Sequence, residues 1–205
     1  MTALPQADVY VSEDEYFEIL EKSEINLDWI DGRIYPRHNP YGLLPEAMAG
    51  ASDAHIDISI DMFAAFYEAL RGKPCSVVNQ DQKVKCGHSY AFPDITVYCG
   101  EREKDARGNL LNAVVIIEIL SPGTEDYDRG AKWDKMREIP SLRDYLLVSQ
   151  DRVLVEQRHK RDANHWELTY FNRLDDEIVL DAIEMRLLVA QIYARIRFDT
   201  ESTPE

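Results

Sequence analysis

Hydrophobic and polar positions change period along the N-terminal third of the chain, and each change predicts an element. Ser12 with Glu15 has the spacing of a capping box, so a short helix to about Glu21 is expected. Residues 27–35 alternate as two strands joined by Asp31-Gly32, a two-residue hairpin turn. The chain is therefore predicted to open with a helix and a hairpin.

A long helix is the next predicted element. Residues 36–50 contain several prolines and glycines and are expected to form a loop. Ser52 is placed to cap a helix that runs through Arg71, before the Gly72-Lys73-Pro74 stop. Helical spacing predicts one apolar face on this helix, composed of Ile56, Ile60, Phe63, Ala64 and Tyr67.

Strands dominate the rest of the pattern. They are expected near residues 76–78, 82–85, 92–98, 113–120, 145–149, 153–159 and 166–171. A helix from Asp128 or Gly130 to about Glu138 interrupts them, and a last helix is predicted from Leu187 to Ile196. This order predicts an α+β fold with a central mixed β-sheet flanked by helices, in a single domain of residues 1–199 with a frayed tail at 200–205.

Two of the predicted buried strands carry a carboxylate at one end. Asp94 follows Pro93 at the start of one strand, and Glu118 follows the apolar run 114–117 in the other. A buried charge is costly unless it is paired or binds a metal. The alternatives are a turn-capping role for Asp94 and a solvent-facing edge position for Glu118. If adjacent strands bring the two together, they form a site for a hard divalent cation.

Magnesium fits these ligands because it binds through one or two carboxylates, waters and substrate phosphate oxygens. The backbone carbonyl of Ile119 is a further possible ligand, and Mn²⁺ is a possible substitute for Mg²⁺. Phosphodiester hydrolysis also needs a cation near the developing negative charge, and Lys132 on the next helix could supply it. The simpler interpretation of Lys132 is an exposed helix lysine.

Composition and charge limit the cellular compartment and the binding partners that we expect. The chain has 205 residues, no apolar run long enough to cross a bilayer, and an N-terminus that lacks the pattern of a secretory signal. Its three cysteines (Cys75, Cys86 and Cys99) match no metal motif and are typical of a reducing cytoplasm, so a cytoplasmic protein is expected. The net charge of −15 argues against broad non-specific binding to nucleic acid, although a local basic surface remains compatible with it.

The combined motifs resemble the Uma family of restriction-endonuclease-like proteins, within the PD-(D/E)xK nuclease superfamily. The likeness spans roughly residues 12–193 and rests on these segments: Asp28-Trp29-Ile30-Asp31-Gly32-Arg33-Ile34, His55, Pro93-Asp94, Glu118-Ile119-Leu120-Ser121-Pro122-Gly123-Thr124, Asp128-Arg129-Gly130-Ala131-Lys132 and Leu142 to Val148. The resemblance implies a restriction-endonuclease-like core with the N-terminal helix and hairpin added to it.

The same resemblance implies roles for individual residues. Asp94 and Glu118 become catalytic residues that bind the metal, and Lys132 becomes the catalytic lysine, because Leu120 occupies the usual lysine position of the superfamily. Asp28 stands where the family usually has Glu, which makes it an accessory candidate, as is His55. The resemblance also implies a homodimer.

Gln82 is a third accessory candidate, taken from the chain itself. It precedes the Asp94 strand and could contact a substrate phosphate, although an exposed strand position explains it equally well.

Two hypotheses follow. The first is a Mg²⁺-dependent DNA endonuclease that uses Asp94, Glu118 and Lys132. The second is a catalytically inactive, nuclease-fold binding protein with a relict acidic site, which Leu120 and the net charge favour.

Overall fold

The computed structural model describes residues 9–37 and 51–198. In chain order the elements are α1 (Glu13–Glu21), β1 (Leu27–Ile30), β2 (Arg33–Pro36), α2 (Asp53–Leu70), β3 (Cys75–Asn79), β4 (Val84–Cys86), β5 (Ser89–Ala91), β6 (Ile95–Cys99), β7 (Ala113–Leu120), α3 (Glu125–Tyr127), a π-helical turn (Asp128–Lys132), α4 (Trp133–Met136), β8 (Asp144–Ser149), β9 (Val155–Lys160), β10 (Trp166–Phe171), β11 (Glu177–Leu180), a 3₁₀ turn (Asp181–Ile183), β12 (Met185–Leu188) and α5 (Val189–Ile192). Most of the predicted loop at 36–50 and the predicted tail lie outside the described residues.

The central sheet has six strands in the order β10-β9-β8-β7-β6-β3. It is mixed, because β7 and β8 run parallel while their other neighbours are antiparallel. This confirms the predicted α+β class with a central mixed sheet flanked by helices. In the described part of the chain, no helix is both long and apolar enough to cross a membrane.

The two faces of the sheet pack into different cores. Alternate residues of β7, including Ile117 and Ile119, pack with α2, α5 and the β11–β12 hairpin. The other residues of β7, including Ile116 and Leu120, pack with the helical segment that follows β7. Glu118 belongs to this second face, where its neighbours in the pattern are apolar.

The N-terminal hairpin forms a smaller four-stranded sheet in the order β2-β1-β5-β4. The predicted turn is present, with Asp31 at φ 49° and Gly32 at φ 82°, the left-handed values that a tight hairpin turn requires. Helix α1 opens with the predicted capping box at Ser12 and packs Tyr16 against β1 and β5. This layer places β1, and with it Asp28, over the end of the central sheet.

The buried face of α2 differs from the predicted one. Ile58, Met62, Phe66 and Leu70 are buried against the sheet, whereas Ile56, Ile60 and Tyr67 of the predicted face point outward. Helical periodicity could not choose between the faces, because this helix carries apolar residues on both.

The prediction of a helix from Leu187 to Ile196 was wrong. The segment begins in β12, which pairs with β11, and only Val189–Ile192 are helical. Met185 and Leu187 are buried while Arg186 and Leu188 are exposed, so the period is two. The helix after β7 also starts earlier than predicted, at Glu125.

The cysteines correct a further expectation. Cys75 and Cys99 face each other across β3 and β6 with Cα atoms 3.9 Å apart, and they form a disulfide. Cys86 is a buried free thiol. The sequence spacing of 24 residues did not reveal the pair, because the antiparallel register of two short strands brings them together.

Candidate active site

Strand pairing brings Asp94 and Glu118 together. Ile95 of β6 is opposite Ile117 of β7, so Asp94, just before β6, lies beside Glu118. The Asp94 amide nitrogen is 3.4 Å from Glu118 Oε2. Both side chains are buried, with 5% of Asp94 and 2% of Glu118 exposed.

Asp94 is surrounded by donors. Its Oδ1 forms an ion pair with Arg37 and lies 3.2 Å from His55 Nε2, while its Oδ2 accepts a 2.7 Å bond from the Ile119 amide. Burial alone would raise the pKa of Asp94, but Arg37, His55 and the Ile119 amide outweigh it and hold the pKa well below its usual range. Asp94 is therefore ionised at every physiological pH.

Lys132 reaches Glu118 from the helical segment after β7. Its Nζ is 2.8 Å from Glu118 Oε1, 3.4 Å from Asp28 Oδ2 and 3.5 Å from Asp128 Oδ1. The π-helical turn carries both Asp128 and Lys132, four residues apart, and both are buried. Lys132 therefore brings an ammonium group to the carboxylate of β7, whereas position 120 of that strand is Leu.

A second layer of bonds fixes Asp28. Its Oδ1 accepts a 2.8 Å bond from the Phe92 amide, and its Oδ2 accepts a 2.9 Å bond from the Tyr127 hydroxyl. Asp28 is fully buried on β1. The N-terminal hairpin therefore contributes a carboxylate to the same cluster as β7.

The cluster carries an excess of negative charge. Among the described residues, four buried carboxylates (Asp28, Asp94, Glu118 and Asp128) face two buried permanent cations, Arg37 and Lys132, which gives these six side chains a formal charge of −2 when all are ionised. Burial raises the pKa of Glu118 well above its usual range and that of Asp128 to about 6, and the neighbouring carboxylates add to this effect, although Lys132 opposes it. For Lys132 burial acts in the opposite direction, but Asp28, Glu118 and Asp128 outweigh it and raise the pKa.

These residues fit a divalent cation in charge and in chemistry. A bound divalent ion would neutralise the excess of −2, and carboxylates are the ligands that Mg²⁺ and Mn²⁺ prefer. Glu118 Oε1 is buried and, among the described residues, receives no hydrogen bond of proper geometry although Lys132 is close to it. Within residues 9–37 and 51–198, however, no three His, Cys, Asp or Glu side chains are already grouped as a metal cage. The arrangement offers two carboxylates and leaves the remaining ligand positions to water and substrate.

Two of the three accessory candidates contact the acidic cluster, and the third does not. His55 lies against Asp94, and Asp28 lies against Lys132. Gln82 donates instead to the carbonyls of Lys83 and Gly108, on the loop side of β4. Ile119 contacts Asp94 through its amide, so the ligand role of its carbonyl stays a prediction.

The sequence did not single out Arg37 or Tyr127 as site residues, whereas Asp128, within about one turn of Lys132, was expected near the same rim. Arg37 follows β2 and also bonds Gln80 through its other guanidinium nitrogen at 2.6 Å. Asp128 had a usable signal, because an acid four residues before Lys132 faces the same side of a helix. Arg37 had none, since its position depends on how the hairpin docks on the sheet.

Comparison with known proteins gives a family match over most of the chain. The model of the Uma2 family, described as "Putative restriction endonuclease", matches residues 13–190. An uncharacterized protein of Synechocystis sp., slr1290, is 31% identical over 190 residues, covering 92% of this chain and 94% of its own. A second, sll1609, is 25% identical over 159 residues, covering 76% of this chain and 84% of its own.

A solved structure has the same fold. The protein titled as a putative nuclease belonging to DUF820, from Anabaena variabilis, superposes with a TM-score of 0.67. The match covers 88% of this chain and 96% of that one at 17% sequence identity. At this level of identity the likeness concerns the fold.

Proposed function

The chain belongs to the Uma2 family, and from this premise we propose that it is a metal-dependent endonuclease that hydrolyses phosphodiester bonds in DNA. The observation that carries the proposal is the buried cluster in which two permanent cations face four carboxylates. The raised pKa values of Glu118 and Asp128 reflect a cluster with more carboxylates than its buried cations balance. A divalent ion would supply the missing positive charge and would favour the ionised carboxylates.

Asp94 and Glu118 would hold the ion, with Ile119 O as a further ligand, and Mg²⁺ is the proposed ion, with Mn²⁺ as a substitute. Bound there, it would polarise the phosphodiester and lower the pKa of the attacking water. Asp94 suits this role because its carboxylate is ionised and is oriented by His55 and the Ile119 amide.

Lys132 supplies positive charge to the transition state. Its raised pKa keeps the ammonium protonated, so it acts as a charge-stabilising cation rather than as a general base. Glu118, Asp28 and Asp128 hold that ammonium in place. In the reaction, the oxygen of water bonds to phosphorus, one P–O ester bond breaks, and the leaving alcohol takes up a proton.

A local basic surface offers a place for DNA despite the net charge of −15. Strand register places Glu118, Leu147, Glu156 and Tyr170 in one row across β7, β8, β9 and β10. Arg158 and Lys160 share the face of β9 that carries Glu156, and within the described chain neither forms a salt bridge. Two strand spacings separate β9, which carries Arg158 and Lys160, from β7, roughly 10 Å, which is about three nucleotides along a strand.

Aromatic side chains accompany these cations. The Arg158 guanidinium is 4.6 Å from the Trp133 ring centroid, and Lys160 Nζ is 5.6 Å from that of Trp166. Tyr170 is 58% exposed beside them. Cations interleaved with aromatic rings suit both phosphates and unstacked bases.

The proposal is tested by incubating supercoiled plasmid and a short labelled duplex with the protein and Mg²⁺, Mn²⁺ or EDTA. We expect cleavage with either metal, none with EDTA, and product ends that carry one phosphate and one hydroxyl, identified by mass spectrometry. Absence of cleavage with both metals, for a folded protein, would contradict it.

One observation favours the second candidate, a nuclease-fold binding protein with a relict site. Both Asp94 oxygens are already engaged, by Arg37, His55 and the Ile119 amide. Titration calorimetry separates the candidates. The endonuclease proposal expects a Mg²⁺ heat that disappears in Glu118→Gln, whereas a relict site gives no heat at millimolar Mg²⁺.

A homodimer is proposed by analogy with the family that the chain resembles. A cytoplasmic location is proposed as well, and the Cys75–Cys99 disulfide is the feature that weighs against it, because disulfides are typical of oxidising compartments.

A further inference from the structure

Arg37 is a buried cation bound to Asp94, one of the two carboxylates proposed to hold the metal. Only 8% of Arg37 is exposed. Its guanidinium donates to Asp94 Oδ1 through one terminal nitrogen and to Gln80 Oε1, 2.6 Å away, through the other. A guanidinium has five N–H donors, and the contacts within the described part of the chain use two of them. Arg37 therefore has donors for an anion that comes from outside these residues.

The carboxylate of Asp94 has little room for a metal while Arg37 is bound to it. Oδ1 is bound to Arg37 and lies 3.2 Å from His55 Nε2, and Oδ2 accepts from the Ile119 amide. A carboxylate offers about four acceptor positions, so these three contacts leave about one, on Oδ2. A divalent ion there shares one buried carboxylate with a guanidinium, and like charges repel strongly where water is excluded. Arg37 therefore weakens metal binding at Asp94.

The two buried cations of the cluster are held differently. Lys132 has three carboxylates around its ammonium group, so a single incoming anion does not withdraw it. Among the described residues, Arg37 has one carboxylate partner, Asp94, and one neutral partner, the amide of Gln80. A planar guanidinium matches a phosphate with two parallel N–H bonds, which an ammonium cannot provide. Arg37 is thus the cation of the cluster that a substrate phosphate can take over.

We propose that Arg37 is a phosphate-binding residue that Asp94 holds in place until substrate and metal arrive. A DNA phosphate beside the cluster takes over the guanidinium, and Asp94 Oδ1 is then free to bind the divalent ion. Each anion keeps a positively charged partner throughout the exchange. DNA and metal therefore favour each other's binding, and linkage makes the two effects equal in size. This inference rests on the proposed function, from which it takes both the DNA and the divalent ion.

Titration calorimetry with Mg²⁺, without DNA, tests the competition. Arg37→Gln should bind Mg²⁺ at least about tenfold more tightly than the wild type, because the like charge is gone from the carboxylate. Gln80→Ala keeps every charge but removes the acceptor that holds Arg37, so the affinity should rise by a smaller factor. Arg129→Gln is the charge control, since Arg129 pairs with Glu125 and Glu156, and it should stay within about twofold of the wild type.

Two outcomes overturn the competition. An unchanged or weaker Mg²⁺ affinity in Arg37→Gln means that Arg37 orients Asp94 without competing with the metal. An equal gain in Arg129→Gln means that total charge sets the affinity. Circular dichroism checks that each variant is folded. If Arg37→Gln does not fold, Gln80→Ala decides, and an unchanged affinity in that variant overturns the proposal.

Fluorescence anisotropy with a labelled duplex tests the phosphate contact. The Lys132→Met background slows the proposed cleavage and keeps both proposed metal ligands. Adding Arg37→Gln should weaken DNA binding at least about fivefold in Mg²⁺ but less than about twofold in EDTA, because Asp94 retains Arg37 when no metal is bound. Equal losses in the two buffers, or no loss in Mg²⁺, overturn the proposal.

These measurements separate the inference from the proposed function. A tighter Mg²⁺ affinity in Arg37→Gln, with no cleavage by the wild type, overturns the nuclease activity and leaves the competition standing. Cleavage by the wild type, with an unchanged Mg²⁺ affinity in Arg37→Gln, overturns the inference alone. The absence of a Mg²⁺ heat in the wild type and in every variant overturns both.

Discussion

Glu118 occupies a buried position of β7 at which the packing pattern predicts an apolar side chain. It alternates with buried residues of β7 and lies on the face that carries Ile116 and Leu120. The raised pKa of Glu118 follows from that placement, because burial and the neighbouring Asp128 and Asp94 disfavour the ionised form of its carboxyl. The residue is thus better suited to binding a cation than to stabilising the metal-free fold.

The metal-free protein should lose stability as pH rises from about 4 to about 6. Glu118 and Asp128 have raised pKa values in the folded state, so the unfolded chain gives up these protons first. The folded state then binds more protons, and the free energy of unfolding falls with pH across this window. Added Mg²⁺ should therefore raise the unfolding temperature more at pH 7 than at pH 5, measured by calorimetry. An equal rise at both pH values would contradict this coupling of metal and protons.

Removing the two acids should have opposite effects on stability without metal. Glu118→Gln removes a buried charge in excess, so the free energy of unfolding should rise by about 1 kcal/mol at pH 7. Asp94→Asn leaves Arg37 buried without its carboxylate and should cost about 3 kcal/mol or more. Urea unfolding at pH 7 in EDTA checks both, and a loss for both variants would show that Glu118 has a structural role.

At the scale of elements, local signals predicted α1, the hairpin and most strands of the central sheet. The capping box at Ser12 and the Asp31-Gly32 turn are read within a few residues, and the structure confirms both. The wrong predictions concern features that depend on contact with another element of the fold. The face of α2 depends on which side meets the sheet, and β12 depends on pairing with β11.

In the candidate site, too, some features were predicted from the sequence and others depend on contacts between distant segments. The Asp94–Glu118 proximity followed from placing two strands next to each other, and Lys132 was predicted both from its place on the next helix and from the family resemblance. The Arg37 contact and the Cys75–Cys99 bond arise where segments far apart in the chain meet. No local pattern encodes either of them.

The disulfide ties the edge strand β3 to β6, the strand that follows Asp94. It closes a loop of 24 residues, for which chain entropy predicts a stabilisation of about 3 kcal/mol. Reduction should therefore lower the urea midpoint of the wild type, and the double variant Cys75→Ser/Cys99→Ser should show no further response to reductant. A Cys86→Ala control should keep the full response. An unchanged midpoint on reduction would show that the thiols are not paired in solution.

For the whole molecule, the distribution of charge matters more than its total. A net charge of −15 repels DNA, so binding must depend on a local surface. The outer face of β9 and β10, with Arg158, Lys160 and Trp166, lies on the same side of the sheet as Glu118. A substrate strand held there can extend to the acidic cluster.

Arg158→Gln in an inactive Glu118→Gln background should weaken DNA binding by about tenfold and reduce the salt slope by about one. Fluorescence anisotropy against salt concentration measures both quantities. Arg186→Gln is the matched control, because Arg186 is equally cationic but exposed on β12, where it pairs with Glu177. Equal losses for the two variants would indicate a general effect of charge rather than a binding surface.

The central claim is that Asp94, Glu118 and Lys132 together hydrolyse DNA with a divalent ion. The most direct measurement is the initial rate of plasmid nicking in Mg²⁺ for the wild type and for Glu118→Gln, Asp94→Asn and Lys132→Met, all purified in parallel. We predict rates at least about 100-fold below wild type for each variant, with folding verified for each. Equal rates in the wild type and the acid variants would contradict the claim, because the nicking would then come from another site or another protein.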